Sequence, residues 1–272
     1  MFIKINLFRE IRKYIVLAEQ SFQIAITYRI RFLTTLATSL VQVIVLYYIW
    51  KVVYQGQISI KGFTLSQMIT YVFISYGVKN LYTFYIEADI SKGIRNGNIT
   101  IDLIRPLNYQ LARFFESLGS VIFEGCLVII IVIILGMSLF KIELPSNTNT
   151  ILFCISLTLS IFINFTISYI VGLFSFWTTS VFGFVNAKRF ISDFFSGGLI
   201  PISFFPGWLQ TIAFILPFNT IVHLPVSIYL GQLTGRKALF ALMIQSIWGI
   251  GLWITGDILW HQASKKLTIH GG

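Results

Sequence analysis

Long apolar runs dominate this chain of 272 residues, and only 11% of its residues are charged. A soluble globular domain carries about a quarter charged residues. A run of about 20 apolar residues crosses roughly 30 Å of hydrocarbon as a helix, and in lipid each backbone polar group must be satisfied within its own segment. A transmembrane barrel would instead show alternating segments of about ten residues. The runs therefore predict an all-α polytopic membrane protein, with residues 1–272 forming a single transmembrane domain.

Six crossings are predicted. The region 190–230 is irregular and rich in proline, which removes a backbone donor and disfavours helix in the preceding residue. We interpret it as the end of a fifth crossing followed by two re-entrant half-helices over 205–230, where backbone of this kind is tolerated only against protein or a water-filled cavity. The residues that mark this region are Pro201, Pro206, Trp208, Pro217 and Pro225. The six crossings are 33–53, 65–86, 118–140, 151–176, 188–204 and 239–259.

The distribution of lysine and arginine predicts the orientation. With the N-terminus in the cytoplasm, fourteen of these residues fall in inside segments and five in outside segments, which is the positive-inside bias. Both termini are therefore expected in the cytoplasm. The net charge of +10 then reflects topology and contact with anionic lipid, and nucleic acid is not an expected partner.

The first 32 residues mix Lys and Arg with Phe, Ile and Leu, and they lack the short apolar core and cleavage site of a secretory signal. They predict an interfacial amphipathic helix on the cytoplasmic surface, with Phe2, Ile5, Phe8 and Ile15 among its lipid-facing candidates. The alternative is a segment that only sets orientation.

Loop 87–117, the longest predicted cytoplasmic loop, contains GNITIDLIRPLNYQLARFFES at 97–117. A turn is expected at Gly93–Gly97, and Pro106 is expected to begin a short amphipathic helix, because proline is favoured at the first helical position. The residues with helical spacing after it are Leu107, Leu111, Phe114, Phe115 and Leu118. A solvated connection needs none of the apolar residues of this loop, so lipid head groups or another protein are expected to pack on it.

Three strings carry a resemblance to a known family: YRIRF before the first span, GNITIDLIRPLNYQ in the loop, and PISFFPGWLQTIAFILPFNTIVHLPVSIYLG near the end. The chain resembles the membrane subunits of ABC type-2 exporters, in the branch of roughly 260-residue permeases, over essentially its whole length. The resemblance implies an N-terminal elbow helix, six spans, a coupling helix between spans 2 and 3, and a broken re-entrant region between spans 5 and 6.

The resemblance also implies partners. The coupling helix of the family docks on a separate ATPase chain, and here that contact is expected at Ile101, Asp102, Leu103, Ile104, Arg105, Pro106, Leu107 and Tyr109. Two ATPase subunits would work with two permeases, the second being another copy or a similar chain, in a bacterial inner membrane. ATP and Mg would be bound by the partner, since this chain has no G-x-x-x-x-G-K-[ST] phosphate cradle. The expected role is a transport subunit rather than an enzyme, with no cofactor or metal of its own.

Charges within spans are costly and are functional candidates. Lys79 and Glu124 lie at similar depths on antiparallel neighbours, about 12 Å from loop 87–117, and predict an ion pair between spans 2 and 3; a place on the substrate path is the alternative. Arg189 and Asp193 have the spacing of a local helical pair.

The fourth span carries small or polar residues at every fourth position, which indicates close helix packing or a polar conduit wall. They are Ser156, Ser160, Asn164, Ser168 and Gly172. Cys126 and Cys154 are interpreted as small buried hydrophobic residues.

Two other function classes were weighed. A gradient-driven secondary transporter or channel would show inverted repeats with broken helices in corresponding halves, and only one broken region is present. An intramembrane enzyme would need a nucleophile-and-base or paired-ligand constellation, and none stands out.

Overall fold

The computed structural model describes residues 2–82, 86–140, 142–178 and 181–266, without the side chains of residues 2–10, 31, 126, 129, 132, 133 and 139. The lipid-facing candidates Phe2, Ile5 and Phe8 and the side chain of Cys126 lie outside this description. Cys154 lies on the exposed surface of its helix, so its predicted burial inside the protein is wrong.

The described part of the chain is almost wholly helical. Its helices are α1 (Phe2–Thr27), α2 (Arg29–Val53), α3 (Leu65–Asn80), α4 (Ile86–Arg95), α5 (Ile99–Ile104), α6 (Tyr109–Leu135), α7 (Asn147–Leu173), α8 (Phe182–Phe195), α9 (Gly207–Ile215), α10 (His223–Tyr229) and α11 (Gly235–Ser264). A hairpin of two short strands, β1 (Ser59–Ile60) and β2 (Phe63–Thr64), joins α2 to α3. Three-residue or four-residue 3-10 turns follow α7 and flank α9, and a π-helical turn, Gly136–Phe140, extends α6.

Local sequence explains several helix ends. Thr64 and Gln67 form a reciprocal capping box at the start of α3, and Ser146 caps α7 by accepting a hydrogen bond from the Asn149 backbone. Gly197, with a φ of 74°, lies two residues after the end of α8, in the left-handed conformation that commonly ends a helix.

Three described helices are long and apolar enough to cross a membrane: Phe32–Val53, Asn147–Phe176 and Gly235–Ser264. They coincide with the predicted first, fourth and sixth crossings. The helical stretch of α6 and its π-helical turn covers the predicted third crossing. The chain is thus a multi-pass membrane protein, and the number of six crossings stays a prediction.

The predicted fifth crossing, 188–204, differs from the structure. The helix in this region, α8, has 14 residues and ends at Phe195, so it spans about 21 Å, less than the hydrocarbon core. It also begins before residue 188, at Phe182. The first proline or glycine pair after its start is Gly197 and Gly198, just beyond its end. Beyond it, α9 and the segment from Pro217 to Tyr229 are bent against each other by 76°, and the re-entrant course of 205–230 stays a prediction.

Helix α1 packs lengthwise along the first half of α6. Tyr14 contacts Phe115 and Phe22 contacts Phe123, with ring centroids 5.5 and 5.8 Å apart, so the two helices run in parallel. Part of the apolar surface of α1 therefore contacts protein rather than lipid, whereas Ile15 is exposed.

The largest core cluster lies between α3, α7 and α10. Met68, Tyr71, Ile163 and Val226 are fully or almost fully buried there. A second cluster joins α4 and the start of α6 to α7, around Ile90 and Tyr169, with side chains of α11 packed against it. The second cluster places loop 87–117 directly against the helices that follow it.

Candidate functional site

Loop 87–117 is built differently from its prediction. The apolar strip before Pro106 forms α5, whereas residues 105–108 are a break in which Arg105 is extended. The helix after the break is not a separate short one, because α6 runs without interruption from Tyr109 into the membrane-spanning stretch. The turn lies at residues 96–98, around Gly97, and Gly93 belongs to α4.

Short helix α5 presents apolar side chains to the outside. Ile101, Leu103 and Ile104 are 55%, 43% and 83% exposed, while Ile99 is buried against the second core cluster. One side of α5 thus anchors the helix, and the other three large side chains leave much of their apolar surface uncovered within the described chain.

Ionic contacts tie α5 to the start of α6. Arg113 of α6 pairs with Asp102 of α5 and also with Glu116, at 2.8 Å. Arg105 lies 3.5 Å from the same Asp102. Burial raises the pKa of Glu116 above its usual range, against the opposing effect of Arg113. The two carboxylates share one guanidinium, which fixes the angle between α5 and α6.

Tyr109 connects the loop to the last helix. Its ring is stacked on Trp260 of α11, with centroids 3.9 Å apart, and Arg113 lies 4.9 Å above it. Burial raises the pKa of Tyr109 to about 12 although Arg113 partly opposes this. On the other side, the Asn108 backbone N–H donates to the Tyr14 hydroxyl of α1 at 3.1 Å. Pro106 is exposed and Leu107 half-buried in the intervening break.

The predicted pair of Lys79 and Glu124 is wrong. The Lys79 ammonium lies 2.7 Å from the Asp193 carboxylate of α8, so the local pair predicted between Arg189 and Asp193 is not formed either. Glu124 faces a groove between α1 and α6. The rotation of α3 about its axis directs Lys79 towards α8.

A polar cavity of about 500 Å³ lies beside this ion pair, between α2, α3, α7 and α8. A second ion pair lines it, formed by Lys188 of α8 and Glu87 of α4 at 2.6 Å, and Lys188 also donates to Ser168 at 2.7 Å. Hydroxyl and amide groups contribute most of the remaining polar lining. They come from Thr35, Thr38, Ser39, Gln42, Asn80, Asn164, Ser192 and Ser196.

Sequence reasoning missed the contribution of the first span. Thr35, Thr38, Ser39 and Gln42 recur at helical spacing and share one face of α2. The signal was present in the sequence as a polar stripe within an otherwise apolar helix.

The period-four residues of the fourth span contribute to close helix packing, and the conduit wall stays a prediction. Ser156 and Ser160 are fully buried in hydrogen bonds with Gln245 of α11, and Gly172 allows α4 to approach, since a Cβ there would meet Ile90 at 2.9 Å. Asn164, in contrast, lines the cavity.

The residues that mark the proline-rich region differ in burial, and none of them lines the cavity. Pro201, Pro217 and Pro225 are buried, whereas Pro206 is exposed and Trp208 is 67% exposed. Pro225 occupies the first turn of α10, where a missing N–H is tolerated. In the described ranges no group of three or more His, Cys, Asp or Glu side chains could hold a metal ion.

Comparison with protein-family models finds one match. The model for "ABC-2 family transporter protein" matches residues 40–271, which include loop 87–117, the proline-rich region and the lining of the cavity apart from Thr35, Thr38 and Ser39. No curated protein matches the chain.

Proposed function

Because the chain belongs to the ABC-2 family of transporters, we propose that it is the permease subunit of an ATP-driven exporter. As an ABC transporter permease it works with ATPase subunits. We infer further that transport runs outward across a bacterial inner membrane and that two ATPase chains serve two permeases, the second being a copy of this chain or a similar one. ATP and Mg would be held by the ATPase, and no covalent chemistry would take place in this chain.

The observation that carries the proposal is the exposed apolar tip of α5. Ile101, Leu103 and Ile104 form a patch at the point where a partner would be engaged, and the helix beneath it is held in place by Ile99. A patch of this kind on a short, well-anchored helix is typical of a protein interaction site. The charged residues Asp102 and Arg105 beside it would fix the register of the partner.

Force applied to α5 would reach three other helices. The Asp102–Arg113 ion pair leads to α6, the stacking of Tyr109 on Trp260 leads to α11, and the hydrogen bond at Asn108 leads to α1. These contacts support a coupling role for residues 101–109, in which closure of the ATPase dimer displaces α5 and thereby rearranges the spans.

The test is to purify the tagged chain from its native membrane in mild detergent, identify the proteins that co-purify, and measure ATP hydrolysis by the complex. Ile104→Asp should reduce recovery of the ATPase at least tenfold, because it places a charge in an apolar contact. Ile58→Asp is the matched control, since Ile58 is 93% exposed in the hairpin connection between α2 and α3.

Equal recovery with the two variants would contradict docking at α5. Substrate movement by the chain alone in vesicles, without ATP, would support a gradient-driven transporter instead.

A further inference from the structure

The cavity between α2, α3, α7 and α8 is lined by many polar and charged groups although two of these helices, α2 and α7, are long and apolar enough to span a membrane. Polar and charged groups in this environment are costly, and they commonly mark substrate pathways. The volume of about 500 Å³ is within the range of small-molecule sites.

The charged residues that line the cavity have a net charge of +1. Three cations, Lys79, Lys188 and Arg189, face two carboxylates, Glu87 and Asp193, which gives 3 − 2 = +1. Both lysines are engaged in short ion pairs with these carboxylates. Within the part of the chain that the structure describes, Arg189 has no ion-pair partner, so its guanidinium supplies the excess charge.

Asn164 adds a second, independent observation. Its side chain is only 4% exposed, and its Nδ2 has no hydrogen-bond partner among the described residues. A buried donor without an acceptor lowers the stability of the fold. Because other atoms of Asn164 line the cavity, a rotation of its side-chain amide would bring this donor to an acceptor atom of a ligand there.

The cavity also has an apolar border. Helix α2 packs on α3, and α8 packs on α7, but among the described residues α2 and α8 make no extensive contact with each other. Val41 on α2 and Phe190 on α8 lie outside the lining of the cavity and are exposed. An alkyl chain that left the cavity between α2 and α8 would reach such exposed apolar side chains while its polar end occupied the cavity.

We propose that this cavity binds the headgroup of a membrane amphiphile with one net negative charge, a phosphodiester being the chemistry that fits. The guanidinium of Arg189 matches phosphate oxygens, and the side-chain amide of Asn164 donates to a further acceptor. The acyl chain of the amphiphile stays between α2 and α8. The inference rests on the proposed function in that it names the substrate class of the permease.

Binding is measured on the purified chain in phosphatidylcholine nanodiscs, with fluorescent short-chain probes and without ATPase or ATP. A phosphatidylglycerol probe, which carries one negative charge, should bind at least tenfold more tightly than a diacylglycerol probe with the same tail. Arg189→Gln should remove this preference. Arg236→Gln, on the exposed first turn of α11 and outside the cavity, should retain it.

A second variant separates binding from folding. Asn164→Leu has a similar volume and removes an unsatisfied donor, so it should weaken binding of the phosphatidylglycerol probe several-fold without lowering the melting temperature. A fall in melting temperature together with unchanged probe affinity would show that Asn164 is structural and would overturn its role in binding.

Two further outcomes would overturn the proposal. Equal effects of Arg189→Gln and Arg236→Gln would mean that the charge of the cavity does not select the ligand. Displacement of the probe by inorganic phosphate as effectively as by unlabelled phosphatidylglycerol would mean that the site binds a free anion rather than an amphiphile. Since no ATPase is present, failure of this test is distinct from failure of docking at α5.

Discussion

Replacing Gln245 with leucine should destabilise the protein by about 2 kcal/mol. Gln245 is fully buried on α11, and its amide oxygen accepts a hydrogen bond from the Ser156 hydroxyl at 3.0 Å. Its amide nitrogen lies 2.8 Å from the Ser160 hydroxyl oxygen, 2.9 Å from the Ser156 carbonyl and 3.0 Å from the Thr220 carbonyl. The side chain thus joins α11 to α7 and to the turn between α9 and α10.

The magnitude follows from the number of bonds. An NH₂ group has two hydrogens, so the amide makes about three full hydrogen bonds, two donated and one accepted. Hydrogen bonds between membrane helices contribute about 0.6 kcal/mol on average, and three of them give the figure of about 2 kcal/mol. Leucine fills a similar volume, so no large cavity term is added.

The assay is the free energy of unfolding in mixed detergent micelles, with Gln262→Leu as control because Gln262 is an exposed glutamine of the same helix. The control should change stability by less than about 0.5 kcal/mol. In Gln245→Leu the Ser156 hydroxyl loses its acceptor, so Ser156→Ala should cost less in that background than in the original chain. Equal losses in the two glutamine variants, or strict additivity with Ser156→Ala, would refute the reasoning.

Two more perturbations test the packing of α1 and the ion pair of α8. A Cβ at Gly119 of α6 would overlap the backbone carbonyl of Ala18, so Gly119→Ala should lower stability by about 1–3 kcal/mol in the same unfolding assay. The control is Gly183→Ala, whose Cβ meets nothing within 4 Å and which should not lower stability. Equal effects of the two variants would contradict the close approach of α1. Exchanging the charges of Lys79 and Asp193 in a double variant should recover about 1 kcal/mol of unfolding free energy relative to the sum of the two single charge reversals. The figure is modest because the two side chains are 23% and 39% exposed. A double variant with strictly additive losses would argue against the pair.

Sequence patterns predicted the apolar helices well but not their rotation about their own axes. Lys79 had two carboxylates at similar depth, Glu124 and Asp193, and depth follows from residue counts. The choice between them depends on which face of α3 points to α6 and which to α8. The face of α3 that points to each neighbour is set by tertiary packing around Tyr71. Because apolar residues occur on all sides of α3, its sequence has no polar and apolar periodicity that would show this orientation.

Breaks in helices were predicted where proline or glycine pairs mark them, and missed elsewhere. Pro106 was expected to begin a helix, but the helix starts at Tyr109. Nothing in the sequence after it separates an amphipathic turn from the span that follows, so α6 continues as one helix. The partner of Ser156 and Ser160 is Gln245, 89 and 85 residues away. Long-range polar pairs of this kind cannot be assigned from spacing within one segment.

Helix α4 lies between the proposed docking helix and the proposed headgroup cavity, and its contacts imply that the two sites influence each other. Glu87 of α4 holds Lys188 at the cavity wall, and Ile90 of α4 is fully buried against Gly172 of α7. A displacement of α5 that is passed on to α4 must therefore move one charge of the cavity or break the 2.6 Å ion pair between Glu87 and Lys188. Conversely, a headgroup that attracts Lys188 weakens the contact that holds α4. By thermodynamic linkage the two effects are equal in size: if an engaged ATPase changes the affinity for an anionic amphiphile by some factor, the amphiphile changes the affinity for the ATPase by the same factor.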